Sequence, residues 1–443
     1  MDTVVAAATP MGRGAISVIR LSGPSAQSMA AALCPGAPKW VPRRLALRRA
    51  VNADGDPLDE VLVAWMPGPR SFTGEDVVEL SCHGNPIIVE ALLSELVRHG
   101  ARPARRGEFT RRALENGRTT LLAAEALDGL IRASSLGGVA LARAGMDGRS
   151  DAIAASFRET LLDVAAEMEA RLDHPDGDLG YEADATVAAH LRTIAAQADR
   201  AAQTWQAGRM RIHGAVVALV GPTNAGKSSL FNHLVGQRRA LVSPLPGTTR
   251  DVVERSVLLE GLDVRYLDTA GERTETNDDL ETAGIALGQQ LTDEADLLLV
   301  TLPLHRSICD DTRNLLQRTA HRRRLIVGTH HDQGVVAADV DVDVALSNET
   351  EEGIDVLRKA IHDTLVQGHA GAEIMVLSQR QHDLFRSIGV HAVEAADALE
   401  GMLGPAVAAE EVTLALERLA ELSGEDVREA VLDRLFSRFC VGK

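Results

Sequence analysis

One run constrains this chain more than any other: Gly221-Pro-Thr-Asn-Ala-Gly-Lys-Ser228, which fits G-x-x-x-x-G-K-[ST]. A loop of this kind curls its backbone N–H groups around phosphates. Its lysine reaches the β- and γ-phosphates, and its hydroxyl residue ligates Mg²⁺. A glycine-rich surface turn shares the pattern, so the flanks decide. Ala215-Val-Val-Ala-Leu-Val220 is an unbroken apolar run that predicts a buried strand, and Ser229-Leu-Phe-Asn-His-Leu234 opens a helix. Strand, loop and helix in that order set an anion at a helix N-terminus. A nucleoside triphosphate site is therefore expected, built from Asn224, Ala225, Gly226, Lys227, Ser228 and Ser229, with Ser228 on Mg²⁺.

The other motifs must fit around that loop in 443 residues, room for about two to four domains. Aromatic residues make up only 3%, so the cores must lean on Leu, Val and Ala, which favours helices. A net charge of −17 argues against a broad basic surface, leaving a nucleic-acid partner to a local patch or a second protein. Cys34, Cys82, Cys309 and Cys440 are far apart and lack C-x-x-C spacing, so neither a disulfide framework nor a structural zinc site is indicated. The start, MDTVVAAATPMGRG, carries an early acid and too short an apolar run for a signal peptide. No stretch nears the roughly 18 apolar residues of a membrane span. A soluble, cytoplasmic protein is the expectation.

The periodicity changes along the chain. Residues 1–117 carry short β-like runs, Ala15–Leu21, Val61–Met66 and Asp76–Ser81, and a helix over Ile87–Arg98 that stops at Gly100. This predicts an α+β domain. Residues 118–210 turn helical: Leu122, Ala126 and Leu130 fall four apart, as do Ile153, Phe157, Leu161 and Ala165, continuing to Met168 and Leu172. Strands return near Ala215, within a nucleotide-binding domain over 211–368, and helices resume over 369–443. Ser423-Gly-Glu-Asp426 reads as a capping box for a last helix presenting Val427, Val431, Leu435 and Phe439. The simplest organisation is a nucleotide-binding domain inserted into a helical one, whose two parts pack together.

Further motifs follow the phosphate loop. Gly247-Thr248-Thr249-Arg-Asp251 offers a switch threonine, Thr249, to complete the Mg²⁺ shell, although an ordinary polar turn has the same composition. Val264–Asp268 is a strand ending in Asp268-Thr269-Ala270-Gly271, where the acid holds Mg²⁺ through water and the glycine N–H senses the γ-phosphate. Together these describe a Ras-like P-loop GTPase domain. A guanine-reading motif should come after Arg324–Gly328. The usual Asn-Lys-x-Asp pairs its carboxylate with guanine N1–H and the 2-amino group. Here Thr329 and His330 replace the Asn and Lys, Asp332 keeps the acceptor, and the usual Ser-Ala-Lys becomes Ser347-Asn348-Glu349. Asp332 favours GTP over ATP. His330 and His331 point apart, which fits a solvated loop better than a metal site.

With these motifs in place, the chain resembles the bacterial tRNA modification GTPase MnmE (TrmE) family along its whole length. The resemblance is carried by Gly12-Arg-Gly14, Ile19-Arg-Leu-Ser-Gly23, Pro67-Gly-Pro-Arg-Ser-Phe-Thr-Gly-Glu-Asp76, His83-Gly84, Arg106-Gly-Glu-Phe109, Ala124-Glu-Ala126 and the terminal Phe439-Cys-Val-Gly-Lys443. It implies an N-terminal dimerisation domain binding a folate of the 5-formyltetrahydrofolate type, a helical domain and an inserted G domain. Its folate residues would be Arg20, Glu79, Arg118 and Lys443; position 118 is usually lysine. It implies K⁺ bound by Asn224 with Ser243, Leu245 and Thr248, doing the work of an arginine finger as the G domains of two subunits meet. Glu281 would position the attacking water, although its register is one residue longer than usual, and a solvated charge is the alternative. Cys440 would act in the modification or else be a small apolar residue closing the last helix. The implied partners are a second copy, the flavin-dependent MnmG (GidA) in a heterotetramer, and tRNA, whose wobble uridine gains a 5-carboxymethylaminomethyl- or aminomethyl-type group. The other function weighed is a GTP-dependent switch in ribosome or RNA assembly, with no chemistry of its own.

Overall fold

The computed structural model describes residues 2–36, 40–174, 181–236, 253–268, 295–334, 340–366, 376–401 and 403–442. They divide into two units. One comprises residues 1–128, 150–184 and 398–443, the other 129–149 and 185–397. Helices from 118–210 and from 376–443 contribute to both. Among the described residues no helix is long and apolar enough to cross a membrane.

Alternation builds the first unit's sheet. In β2 (Ile16–Ser22) the side chains of Ser17, Ile19 and Leu21 are buried, while Arg20 between them faces the other way. β5 (Val77–His83) pairs antiparallel with it, Ile19 opposite Leu80 and Arg20 opposite Glu79. With β1 (Val4–Ala7), β3 (Ala46–Val51), β4 (Pro57–Met66) and β6 (Arg102–Pro103) the order is β3-β4-β5-β2-β1-β6, antiparallel except for β1 against β6. β1 and β3 carry apolar runs too short to stand out in the sequence.

The helix Pro86–Arg98 starts where Asn85 accepts a hydrogen bond from the Ile87 N–H and proline occupies the first turn. Its Val89, Leu92 and Leu96 join Ala26, Ala30 and Leu33 of the helix Ala26–Leu33 in the core over Ile19, Leu21 and Leu80. Truncating Leu92 to alanine there costs ~2–5 kcal/mol.

The long helix Arg149–Asp173 buries Ala154, Phe157, Leu161, Val164, Met168 and Arg171. Its true stripe advances by three and four in turn, whereas the spacing of four expected from the sequence drifts off one face; Leu172 is accordingly exposed. Buried Arg171 is neutralised by Glu167 at 3.0 Å and Asp184 at 2.5 Å. The capping box at Ser423 is not formed. The helix Pro405–Ser423 runs through that serine, whose hydroxyl donates back to the Ala420 carbonyl, and ends on Gly424 in the left-handed region. The last helix, Glu429–Phe436, begins after Arg428, and Phe439 lies beyond it, packed on Phe436.

The second unit's sheet has the order β12-β11-β10-β7-β9-β8, from β7 (Ala215–Val220), β8 (Val253–Leu259), β9 (Leu262–Asp268), β10 (Leu297–Pro303), β11 (Arg324–Thr329) and β12 (Val344–Ala345). All neighbours run parallel except β8 on β9. Continuous apolar runs are what a parallel sheet covered on both faces requires. In β7, Ala215, Val217 and Leu219 join one core, with Leu230 of the helix Lys227–Val235 and Leu357 of the helix Ile354–Val366; Val216, Ala218 and Val220 join the other.

Candidate functional site

The phosphate loop leaves β7 through a passage only glycine fits. A Cβ on Gly221 would stand 2.4 Å from the Thr301 carbonyl oxygen, and the Thr301 hydroxyl donates to the Val220 carbonyl. The backbone then curls through Asn224 at φ 59° and Gly226 at φ 77° into the helix Lys227–Val235. Lys227, buried at its root, turns its ammonium into the loop, 2.8 Å from each of the Gly221 and Pro222 carbonyls. Asn224, Ser228 and Ser229 are exposed on the rim, whereas Ala225 is buried. The first-turn N–H groups of a helix have no intrahelical acceptor and carry the positive end of its dipole. With the ammonium beside them, the loop is a receptor for phosphate. Arg306 braces its outer side by donating to the Thr223 carbonyl at 3.0 Å.

Strand register brings the acid to the same place. Asp268, buried, pairs opposite Leu219, two residues before the loop begins. The hydroxyl of Ser228 and the carboxylate of Asp268 are the hard oxygen donors a Mg²⁺ site requires. Thr269, Ala270 and Gly271 lie outside the described residues, as do Ser243, Leu245, Thr248, Thr249 and Glu281.

The segments 329–332 and 347–349, where the guanine-reading motifs are expected, meet beside the loop. The His331 N–H donates to the Leu346 carbonyl at 3.1 Å and the Leu346 N–H to Gly328 at 2.8 Å. Asp332 sits in a short turn, His331–Gln333, with its carboxylate exposed. The buried Ser347 hydroxyl donates to it and, together with His330 and His331, holds its carboxyl below the usual range. An ionised acceptor is thus kept for a donor pair. Thr329 is fully buried, its hydroxyl 2.8 Å from the Ala225 carbonyl and 3.1 Å from that of Leu302. His330, at φ 58°, meets the His305 ring edge-on with centroids 4.7 Å apart.

A second cluster occupies the first unit. Arg20 is bound by Glu79 at 2.8 Å and donates to the Gly442 carbonyl at 3.2 Å. Its guanidinium also lies 5.8 Å from the half-exposed Phe72 ring and 5.7 Å from Phe109. Arg118 donates to the carbonyl of Ser71, next to Phe72, at 3.3 Å. The chain end is anchored alongside: Arg106 donates to Phe439, the Gly107 N–H to Cys440, and Gly442 passes so close to Ala7 that a Cβ would stand 2.3 Å from its carbonyl. Cys440 is exposed; Phe436 and Phe439, not the cysteine, supply the apolar closure. Lys443 lies outside the described residues. Sequence reasoning missed Gly442, Arg306 and Asn348 as site residues. The last was visible as a departure from Ser-Ala-Lys, but nothing local indicated its contact.

Residues 3–118 match the family described as GTP-binding protein TrmE N-terminus, and residues 121–440 match the MnmE helical domain. The tRNA modification GTPase MnmE of Synechococcus sp. (strain CC9605) is 39% identical over 457 residues, covering 100% of this chain and 99% of its own. That of Moorella thermoacetica is 38% identical over 462 residues, covering 100% and 99%. That of Thermotoga maritima is 34% identical over 453 residues and covers 100% of both. Among solved structures, Aquifex aeolicus Era bound to GDP·AlF4⁻ matches 41% of this chain and 66% of its own at 24% identity and a TM-score of 0.28, a likeness too loose to add to the assignment.

Proposed function

The chain belongs to the MnmE (TrmE) family of tRNA modification GTPases, and on that premise we propose how its two clusters divide the work. It is a GTPase acting in tRNA modification. The observation that carries the hydrolytic half is the phosphate loop with the Lys227 ammonium turned into it. Lys227 and the first-turn amides of Ser228 and Ser229 take the phosphates, Ser228 and Thr249 hold Mg²⁺ with Asp268 behind, and Asp332 reads guanine. Thr269, Ala270 and Gly271 follow the γ-phosphate. Glu281 orients the attacking water.

Phosphoryl transfer is accelerated by offsetting charge that grows on the phosphate oxygens in the transition state. Asn224, exposed on the rim, offers a side-chain oxygen that suits a monovalent cation, and Ser243, Leu245 and Thr248 complete the set. K⁺ held there supplies the positive charge an arginine brings in other GTPases, and pairing of G domains orders the loop around it.

The modification half belongs to the N-terminal part of the first unit, a folate-binding dimerisation domain over 1–117, followed by a helical domain over 118–210 and 369–443 with the G domain over 211–368 inserted in it. The donor set suits a folate: Glu79 offers a carboxylate to an amino-pterin edge, Arg20, Arg118 and Lys443 offer cations, and the Phe72 ring lies exposed beside them. The folate supplies a one-carbon unit. Cys440 lies exposed in the adjacent chain end. A homodimer working in the cytoplasm with MnmG (GidA) in a heterotetramer then modifies the wobble uridine of tRNA at its 5-position with an aminomethyl-type group. A plain assembly switch has no use for an arginine–glutamate pair with the chain terminus seated on it. Nucleoside mass spectrometry of tRNA from cells lacking this protein tests the reading: the wobble 5-substituent should vanish and return with the gene. An unchanged nucleoside profile would refute it.

A further inference from the structure

Two departures from the usual guanine-reading pattern meet on the phosphate loop. Position 329 is threonine where asparagine is usual, and position 348 is asparagine where alanine is usual. The Thr329 hydroxyl lies 2.8 Å from the Ala225 carbonyl, and Asn348 Nδ2 donates to the Gly226 carbonyl at 3.2 Å. Consecutive carbonyls of the loop are thereby held by the two segments that flank the base site. The threonine reaches its carbonyl but is too short to bring an amide with it. The fit around the asparagine is close. A Cβ on Gly226 would stand 2.7 Å from Asn348 Nδ2 and 3.5 Å from His330 Nε2, and Gly226 itself is at φ 77°, which disfavours any side chain. Asn348 Oδ1 and His330 Nε2 are buried with no hydrogen-bond partner among the described residues. Buried polar atoms are almost always partnered by protein, water or ligand, so this pair is open to completion from the nucleotide side.

We infer that Asn348 is a positioning residue for guanine-nucleotide binding: its side-chain amide, displaced from position 329 of the usual pattern, clamps the phosphate loop to the base-reading segment through Gly226. The inference rests on the reading that this loop binds a guanine nucleotide. The departures at 329 and 348 are then one compensated exchange and not two separate losses. Because the clamp shapes the loop and not the γ-phosphate pocket, GDP and GTP feel its loss alike.

The test is release of N-methylanthraniloyl-GDP and -GTP from the full-length protein, followed by stopped flow, with thermal melts by circular dichroism alongside. Asn348→Ala should speed release of both nucleotides about tenfold, equivalent to about 1.4 kcal/mol. The double variant Thr329→Asn/Asn348→Ala, which restores the usual arrangement, should return to within about threefold of the parent, less than 1 kcal/mol. Release from Asn348→Ala within about threefold of the parent overturns the clamp, and so does a double variant no slower than the single one. Where Asn348→Ala does not fold, Asn348→Asp keeps the size but sets a carboxylate against the Gly226 carbonyl; faster release supports the clamp and unchanged release overturns it. A parent protein that binds neither labelled nucleotide overturns the guanine reading and the clamp with it. Binding by the parent with unaltered release from the variants overturns the clamp alone.

Discussion

The Arg20 guanidinium donates to the carbonyl of Gly442, 422 residues further along the chain, at 3.2 Å. The same guanidinium is held by Glu79 from the neighbouring strand, so one side chain joins the sheet to the terminal Cys-Val-Gly segment. If this cluster binds the folate, Arg20 both contacts it and keeps the chain end in place. Arg20→Ala should then weaken binding of 5-formyltetrahydrofolate about 100-fold, at the upper end of what a charge-assisted hydrogen bond contributes. Calorimetric titration of the full chain decides it. An unaltered dissociation constant would remove Arg20 from the site.

Asn224 sits on the exposed rim of the phosphate loop at φ 59°. GTP turnover should rise about fivefold or more when K⁺ replaces Na⁺ at equal ionic strength, consistent with offsetting of transition-state charge. Asn224→Ala should abolish the difference between the salts while leaving the slow basal rate. Equal phosphate release in the two salts by the parent protein would eliminate the cation as a stand-in for arginine.

Asp332 is exposed, and the Ser347 hydroxyl keeps its carboxyl ionised below the usual range. An anionic acceptor selects guanine through its N1–H and 2-amino group. Replacing it by an amide, Asp332→Asn, turns the preference towards xanthosine nucleotides and should cost about 100-fold or more in GTP affinity, because the base donors lose their partner. Competition between GTP and XTP for the labelled-nucleotide site measures this. Retained GTP preference would place base recognition elsewhere.

Acid stability reports on the network behind the first sheet. Hydrogen bonds from Arg102 first, then Arg112, draw the Asp2 carboxyl down from 3.8 to about 2. A depressed carboxyl stabilises the fold above its unfolded value and loses that contribution as pH falls through its folded value. The loss should therefore run from about pH 4 down to about 2. Half of the Asp2 side chain is exposed, so solvent screening keeps the effect small. Asp2→Asn should flatten the pH dependence of urea-unfolding midpoints in that window. Identical slopes for the two proteins would show that Arg102 and Arg112 do not hold the Asp2 carboxyl down in the folded protein.

Short-range physics was legible in the residues themselves. The apolar run Ala215–Val220, the glycines of the loop and the helix-opening Ser229–Leu234 specify a strand, a phosphate cradle and a helix without outside help, because each depends on local backbone geometry and periodicity. The strand at Val77–His83 and the helix stopping before Gly100 belong to the same class. Misreadings arose where a local pattern had two physical outcomes. Ser423-Gly-Glu-Asp satisfies a capping box on paper, yet Gly424 in the left-handed region ends the preceding helix there, and a spacing of four residues slides around a helix whose buried stripe advances by three and four.

The sequence by itself determined that this chain has a phosphate loop, an acidic residue, Asp332, at the position of the usual guanine-reading motif, and the motif set of its family. Only the tertiary structure decided that Asn348 grips Gly226, that Thr329 is buried against Ala225 and that Gly442 is seated on Arg20. Those partners lie between 104 and 422 residues apart. No propensity or period spans such gaps. They are set by strand register and by which carbonyls are left to be satisfied when the cores close.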